Sequence, residues 1–391
     1  MKKTVCTFLI SAILFYFTGC YSQAKAGQLF SPYGQPVVSA DAAVLLDIRT
    51  GQVLYAKNPF KRRPPASTTK VMTALLALET GDLKSMVSVS QRAARTGGSS
   101  MYLRAGQVLS LSDLLYGALL NSGNDACEAI AEHVGGSKEN FALLMNMKAL
   151  ALGALDTNFV NPHGLPDDDH YTTAYDLALI AREALHNKTF ANIVSTRVKT
   201  IDLPGDDNDR HLKNTNKLLW RYLWAEGVKT GTTSAAGPCL VSAAVKDNRQ
   251  LLAVVLYSGN RWNDSVKMFE YGFNRFEHKQ VAVAGAEYGS YRVRNGDLET
   301  VPVVYGGNLG ILVPRDDPKA LETRVSIDYY PTAPIKKGEV LGSVSYFVNS
   351  SLSGTVNIVS SEDVGTEGFW LNLGRWFKAK IYNFFGQIPT K

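Results

Sequence analysis

Hydrophobic and polar positions follow two different periods in the first two thirds of the chain. Two runs of alternating apolar residues flank Arg49-Thr50-Gly51, which predicts a β-hairpin over residues 42–57. Apolar residues then recur at three- and four-residue steps, which predicts helices over 67–79, 110–121, 124–134, 138–152 and 173–186. Alternation returns and predicts strands over 226–233, 239–245 and 251–257. Strands at both ends predict one antiparallel sheet that joins the first and last segments, with a mostly helical cluster against it.

The pattern of hydrophobic and polar residues changes after about residue 277. Seven short strand-like runs are separated by turn residues every 8 to 12 positions. This spacing is typical of a small, sandwich-like all-β domain. The sequence therefore predicts an α/β (α+β) protein, with a first domain over 27–277, a β-rich domain over 278–363 and a tail over 364–391.

The first 26 residues are typical of a signal peptide. Lys2 and Lys3 precede an apolar core of 13 residues, and the small residues of Ala-Lys-Ala (24–26) suit a cleavage site before Gly27. We therefore expect an exported protein. Phe-Thr-Gly-Cys, ending at Cys20, loosely resembles a lipoprotein signal, so lipidation of Cys20 stays open as an alternative. Cys127 and Cys239 remain after cleavage, and their apolar surroundings predict buried free thiols.

Composition excludes several classes of function. The chain has 391 residues, 45% hydrophobic and 19% charged, which is ordinary for a globular protein. Its formal charge of +6 includes three lysines of the leader, and no basic run indicates a nucleic-acid partner. His163 and His170 alone make a poor metal site. No phosphate loop or dinucleotide fingerprint is present, so we predict no cofactor and no metal.

Three short motifs carry candidate chemistry. A Ser-x-x-Lys pair, Ser67 and Lys70, opens a predicted helix directly after Pro64-Pro65, which cannot lie in a helix interior. Ser122-Gly123-Asn124 falls between two helices, and Lys229-Thr230-Gly231 lies on a strand. The first two patterns also occur at 22–25 and 258–260, so the signal is their order and structural context.

These motifs, in this order, are the signature of β-lactamases and penicillin-binding proteins. The chain resembles the low-molecular-mass penicillin-binding proteins that act as D-alanyl-D-alanine carboxypeptidases. The resemblance extends to residues 98–107, 121–136, 161–165, 172–181 and 235–244, and it covers essentially the whole mature chain. It implies a β-lactamase/transpeptidase-like first domain.

The resemblance also implies a role for each motif residue. Ser67 would be the nucleophile that forms the acyl-enzyme, Lys70 its base, and Ser122 the proton relay to the leaving amine. A lysine acts as a base only if burial or another cation disfavours its charge, and Lys229 is a candidate for that cation. The remaining residues would bind substrate. Asn124 would orient both the peptide and Lys70, whereas Lys229 and Thr230 would hold the terminal carboxylate. Gly231 would permit close approach to the strand, and the N–H of Thr232 would complete an oxyanion hole with the Ser67 N–H.

The resemblance implies that stem peptides of peptidoglycan are the substrates and that β-lactam antibiotics are inhibitors. Loss of the terminal D-alanine would limit cross-linking. A class A-type β-lactamase is an alternative, but it needs a glutamate to activate water, and the loop over 158–173 contains none. Two further alternatives stay open: a D,D-endopeptidase, which would use the same residues, and a catalytically silent wall-binding protein. His163 is expected to shape the loop that faces the site.

The tail contains a dense aromatic segment, residues 366–387. Its apolar residues recur at three- and four-residue steps: Phe369, Trp370, Leu373, Trp376, Phe377, Ile381, Phe384 and Phe385. Arg375, Lys378 and Lys380 interrupt the segment, so it should not span a membrane. We expect an amphipathic helix that lies on the outer face of the cytoplasmic membrane.

Overall fold

A computed structural model describes residues 34–202, 209–327 and 330–367. The signal-peptide prediction and nearly all of the aromatic tail segment lie outside these residues. The strands of the first domain are β1 Ala42–Asp47, β2 Val53–Lys57, β3 Met86–Ser88, β4 Val108–Ser110, β5 Val198–Ile201, β6 Arg210–Lys213, β7 Ala225–Thr233, β8 Gly237–Lys246 and β9 Arg249–Leu256. The helices are α1 Lys70–Thr80, α2 Gln91–Ala94, α3 Leu111–Leu120, α4 Asn124–Gly135, α5 Lys138–Ala151, α6 Ala174–His186, α7 Lys188–Ser195, α8 Leu218–Arg221 and α9 Arg261–Arg275.

One five-stranded antiparallel sheet forms the centre of this domain, in the order β2-β1-β9-β8-β7. The first and last segments are neighbours, as the sequence predicts, with Val44 of β1 opposite Val254 of β9. Val44 and Leu46 face the core beneath the helical cluster, whereas Leu45 faces a second core on the other side. Both faces are therefore buried, and β7 is left as an edge strand.

Helix α9 covers the second face of the sheet and is absent from the sequence-based prediction. Phe269 and Phe273 pack against the sheet, and Gly272 lies so close to it that a Cβ there would be 2.6 Å from Leu251 Cδ1. Its buried positions recur at helical spacing, but several of them are polar or glycine (Asp264, Ser265 and Gly272), so a pattern of apolar residues alone does not reveal the helix. Helices therefore cover both faces of the central sheet, and not only the face that the sequence predicts.

The second domain is all β. Its strands are β10 Phe276–Ala282, β11 Glu287–Arg292, β12 Thr300–Tyr305, β13 Leu309–Pro314, β14 Leu321–Ile327, β15 Val340–Val348 and β16 Ser351–Ser360. A five-stranded sheet, β11-β12-β16-β15-β14, and the pair β10-β13 enclose one apolar core. The predicted mixed fold with a β-rich second domain is confirmed.

Two further sequence-based expectations can be compared with the described residues. Cys127 and Cys239 are free and buried, as predicted. In the part of the chain that the structure describes, no helix has the length and apolar character needed to cross a membrane.

Candidate active site

Ser67 lies in a single 3₁₀ turn, Ala66–Thr69, that continues directly into α1. Side-chain hydroxyls brace this turn: Thr68 Oγ1 donates to the Pro65 carbonyl over 2.6 Å, and Thr69 Oγ1 donates to the Ala66 carbonyl over 2.8 Å. Thr68 and Thr69 are buried, whereas Ser67 keeps partial exposure. The local sequence therefore holds one hydroxyl at the surface of an otherwise buried turn.

Lys70 is fully buried behind Ser67. Its Nζ lies 2.9 Å from Ser67 Oγ, 2.7 Å from Asn124 Oδ1 and 2.8 Å from the His163 carbonyl oxygen. Burial lowers the Lys70 pKa from 10.5 to about 8, although Cys127 and Asp125 oppose this effect. A neutral amine has two hydrogens and one lone pair. Two carbonyl oxygens can accept the hydrogens, which leaves the lone pair directed at the Ser67 hydroxyl.

The Ser122-Gly123-Asn124 motif forms the break between α3 and α4, as the sequence predicts. Ser122 has a left-handed backbone, φ 64°, and is 6% exposed. Its hydroxyl forms no hydrogen bond with the described part of the chain. Asn124 Nδ2 donates to the Gly97 carbonyl over 2.6 Å, which fixes the amide so that its oxygen faces Lys70. Buried Asp125 accepts the N–H groups of Met101 and Leu103 and so anchors the loop that precedes this helix pair.

Lys229 lies on edge strand β7 and is 1% exposed. Its Nζ donates to the Thr230 carbonyl over 3.0 Å. Burial lowers its pKa well below the ordinary value, and the nearby Lys70 and Arg261 lower it further. Burial, and not a charge on Lys229, is the main cause of the lowered Lys70 pKa. The sequence leaves open whether burial or a neighbouring cation lowers the Lys70 pKa, and the structure supports burial.

Gly231 brings β7 against the Ser67 turn. A Cβ at this position would lie 2.9 Å from the Pro65 carbonyl oxygen and 3.0 Å from the backbone nitrogen of Ser67. Neither contact could relax cheaply, because both partners are backbone atoms. The glycine thus permits the close approach that the sequence predicts.

The backbone of Thr232 faces the open edge of β7. Thr232 is opposite Pro238, which has no N–H and whose carbonyl accepts the N–H of Ser258. The polar backbone groups of Pro238 therefore point away from β7, so this is a non-hydrogen-bonded pair of the ladder. In such a pair the N–H of Thr232 points outward, on the strand edge next to the Ser67 turn.

Two contacts at the site were not predicted from sequence. Arg261, at the start of α9, donates from Nη1 to the carbonyls of Gly231 over 2.8 Å and Cys239 over 3.0 Å, and to Thr232 Oγ1 over 3.0 Å. No motif signals this residue, and the sequence-based prediction does not include its helix. The other contact is the backbone carbonyl of His163, a position that side-chain patterns do not reveal.

No carboxylate contacts the nucleophile pair in the described residues. The three hydrogen-bond partners of Lys70 are a hydroxyl, an amide and a backbone carbonyl. The loop over 158–173 contributes that carbonyl and, as the sequence indicates, no glutamate. No cluster of three or more potential metal-ligating side chains occurs among residues 34–202, 209–327 and 330–367.

The fold and the lysine–serine contact define a serine-type hydrolase with a lysine in the place of the usual histidine base. Residues 31–260 match the family described as D-alanyl-D-alanine carboxypeptidase, and residues 276–366 match the penicillin-binding protein 5 C-terminal domain. The chain therefore belongs to the D-alanyl-D-alanine carboxypeptidase family.

Individual relatives agree with this assignment. The chain is 34% identical to D-alanyl-D-alanine carboxypeptidase DacC of Escherichia coli, over 90% of this chain and 91% of DacC. It is 32% identical to DacF of Bacillus subtilis, over 97% of this chain and 100% of DacF. Penicillin-binding protein 5 of Haemophilus influenzae has a similar structure, with a TM-score of 0.74 and 33% identity over 85% of this chain and 99% of that protein. The predicted family and the predicted serine-type carboxypeptidase activity are confirmed.

Proposed function

We propose that this enzyme removes the terminal D-alanine from peptidoglycan stem pentapeptides through an acyl-enzyme on Ser67. The observation that carries the assignment of Ser67 is the 2.9 Å contact between its hydroxyl and Lys70 Nζ. Two carbonyl oxygens occupy the other hydrogen-bonding positions of that amine. In the free enzyme Lys70 is therefore oriented to take the Ser67 proton.

Acylation begins when neutral Lys70 takes that proton and Ser67 Oγ attacks the carbonyl carbon of the penultimate residue. The N–H groups of Ser67 and Thr232 stabilise the oxyanion, which develops at the open edge of β7. The C–N bond then breaks, and the proton on Lys70 passes through the Ser122 hydroxyl to the leaving amine of D-alanine. In deacylation water attacks the ester, Lys70 accepts its proton, and Ser67 Oγ recovers a proton as the shortened peptide leaves.

The terminal carboxylate of the substrate binds beside Lys229 and Thr230. Thr230 Oγ1 lies 2.7 Å from Thr215 Oγ1, which orients the hydroxyl. Lys229 is buried, and within the described residues its Nζ donates one hydrogen bond, to the Thr230 carbonyl. An arriving carboxylate favours the charged form of Lys229 and so raises its pKa. Arg261 holds two carbonyls of the adjacent strands and keeps this part of β7 in place.

β-Lactams acylate the same serine and act as inhibitors. Opening of a β-lactam ring leaves the amine tethered, so the departing group does not clear the site for water. With no carboxylate next to Ser67 and Lys70 in the described residues, nothing there resembles the water-activating glutamate of class A β-lactamases. The acyl-enzyme with penicillin should persist.

A second part of the proposal concerns location and domain organisation. Residues 1–26 act as a signal peptide, 27–277 form the catalytic domain, 278–363 form the β-rich domain, and the tail over 364–391 holds the enzyme at the outer face of the cytoplasmic membrane. The aromatic and basic composition of the tail supports this arrangement. Removal of the residues after Gly365 should release the protein from membranes with penicillin labelling unchanged. Continued sedimentation with membranes would contradict a tail anchor and favour lipidation of Cys20.

The direct test is release of D-alanine from a synthetic pentapeptide by the wild-type protein and by Ser67→Ala. The wild type should release one D-alanine per peptide, and the variant none. A peptide with an amidated C-terminus should be a poor substrate because it lacks the carboxylate that Lys229 binds. Equal cleavage of the amide would contradict this role and favour the endopeptidase alternative.

A further inference from the structure

Glu128 is a buried carboxylate next to the active site for which the proposed mechanism has no role. It lies on α4, one helical turn after Asn124, and is 2% exposed. Residues four apart lie on the same face of a helix, so Glu128 follows the residue whose amide oxygen contacts Lys70. Its Oε2 is fully buried without a hydrogen bond from the described residues.

The ring of His163 lies beside this oxygen. Glu128 Oε2 lies 3.6 Å from His163 Nε2. The other ring nitrogen, Nδ1, accepts the N–H of Leu165 over 3.2 Å. Burial lowers the His163 pKa, so the ring is neutral and carries its single proton on Nε2, which faces the carboxylate. The backbone carbonyl of the same His163 accepts a hydrogen bond from Lys70.

A role for Glu128 as a simple partner of Arg92 does not explain its burial. Arg92 Nε lies 3.2 Å from Glu128 Oε1, but it also lies 3.0 Å from Glu132 Oε1, and its own side chain is half exposed. Glu132 shows that Arg92 can be paired from a more accessible position. Placing a carboxylate in the interior costs several kcal/mol, so a buried one needs a reason beyond a surface ion pair.

We propose that Glu128 is a positioning residue for acylation, which acts through His163. The carboxylate fixes the ring of His163, and the ring fixes the backbone carbonyl that orients Lys70. Helix α4 then supports the base in two ways: Asn124 contacts it directly, and Glu128 supports the loop that supplies its other carbonyl. The inference rests on the proposed roles of Ser67 and Lys70.

The test compares Glu128→Leu with Glu132→Leu, because both remove a carboxylate that pairs with Arg92 but only Glu128 faces His163. Second-order acylation by penicillin is measured per active molecule, with the active fraction counted by titration. Glu128→Leu should slow acylation about tenfold, because His163 Nε2 loses the carboxylate that it faces at 3.6 Å and the loop carbonyl is then held less precisely. Glu132→Leu should equal the wild type. For the pentapeptide, kcat should fall with little change in KM. Glu128→Gln should recover most of the rate, since an amide oxygen also accepts the Nε2 proton.

A pH profile separates positioning from general destabilisation. The His163 carbonyl stabilises the charged form of Lys70. When Glu128→Leu weakens that contact, the Lys70 pKa should fall, so the acid limb of the profile, where the acylation rate rises with pH, should move to lower pH. The charged and titratable groups near Lys70 are Asp125, Cys127 and Lys229, and those near His163 are Glu128, Lys70 and Lys138. None of the other groups changes in the variant, and Arg92 keeps Glu132 as a partner.

His163→Phe keeps an aromatic ring but removes the Nε2 proton, together with the Nδ1 acceptor of the Leu165 N–H, so it serves if Glu128→Leu does not fold. His163→Phe should slow acylation as much as Glu128→Leu does. Adding Glu128→Gln to His163→Phe should not slow it further. Wild-type acylation rates and pH profiles in the variants would overturn the inference, even with a lower melting temperature. Absence of acylation in the wild type would instead overturn the proposed function, and with it this inference.

Discussion

The lowered pKa of Lys70 should control the rate of acylation, and one isosteric substitution can change it. A fall from 10.5 to about 8 corresponds to about 3 kcal/mol of lost preference for the charged form. At pH 7 roughly one molecule in ten then has a neutral Lys70, compared with roughly one in three thousand for an ordinary lysine. We expect kcat/KM and penicillin acylation to rise with pH, with a midpoint near pH 8.

Asn124→Asp places a carboxylate where an amide oxygen now lies 2.7 Å from Lys70 Nζ. An adjacent opposite charge raises the pKa of a lysine by about 1 to 3. The acid limb should therefore move from near pH 8 toward pH 9 or higher, and acylation at pH 7 should fall at least about tenfold. Stopped-flow acylation by a chromogenic β-lactam, measured between pH 6 and about pH 10.5, follows the limb across its full range.

Asn124→Leu is the matched control, because it has similar size and also loses the contact with Gly97 but adds no charge. It should slow acylation without moving the acid limb to higher pH. If the limb of Asn124→Asp stays within a few tenths of a pH unit of the wild type, Lys70 is not the group that titrates. The assignment of Lys70 as the base would then be wrong.

Three other predictions address the substrate site and its support. Binding of a D-alanyl-D-alanine peptide to Ser67→Ala should be accompanied by proton uptake, because burial lowers the pKa of Lys229 and the arriving carboxylate raises it again. Calorimetry in two buffers measures the uptake, and equal uptake with Lys229 replaced by Gln would contradict this role. Gly231→Ala should slow acylation about 100-fold, because its Cβ collides with backbone atoms beside the nucleophile, and a near wild-type rate would show that β7 can move away. Asp125→Asn should lower the free energy of unfolding by about 2 kcal/mol, because it removes a buried carboxylate that accepts several backbone N–H groups. Urea titrations measure this, and unchanged stability would show that Asp125 does not anchor the loop.

Much of the fold could be predicted from sequence because its elements follow simple periods. The hairpin β1–β2, the long helices α1 and α3–α6, and the strands β7–β9 all match predicted segments within a few residues. Each of the seven strand-like runs of the second domain overlaps one of the strands β10–β16, although the runs over 280–285 and 291–296 extend beyond β10 and β11. Helix α9 was not predicted in this way, because three of its six buried positions are Asp264, Ser265 and Gly272, which a search for apolar residues does not find.

The active site could be predicted only in part. The structure brings Ser67, Lys70 and Asn124 together, and the two motifs that hold them lie where helices α1 and α4 begin. The lowered pKa values of Lys70 and Lys229 depend on burial, which no local pattern reports. The carbonyl of His163 could not be found from residue types at all, since it belongs to the backbone and acts through the path of a loop.

The most direct test of the central claim is the intact mass of the protein after incubation with benzylpenicillin, followed by peptide mapping. We expect a single adduct equal to the full mass of the drug, because ring opening releases no fragment. The adduct should map to Ser67, persist for many turnovers of the peptide substrate, and be absent from Ser67→Ala. An unmodified protein, an adduct on Ser122, or labelling that survives in Ser67→Ala would contradict the claim that Lys70 activates Ser67.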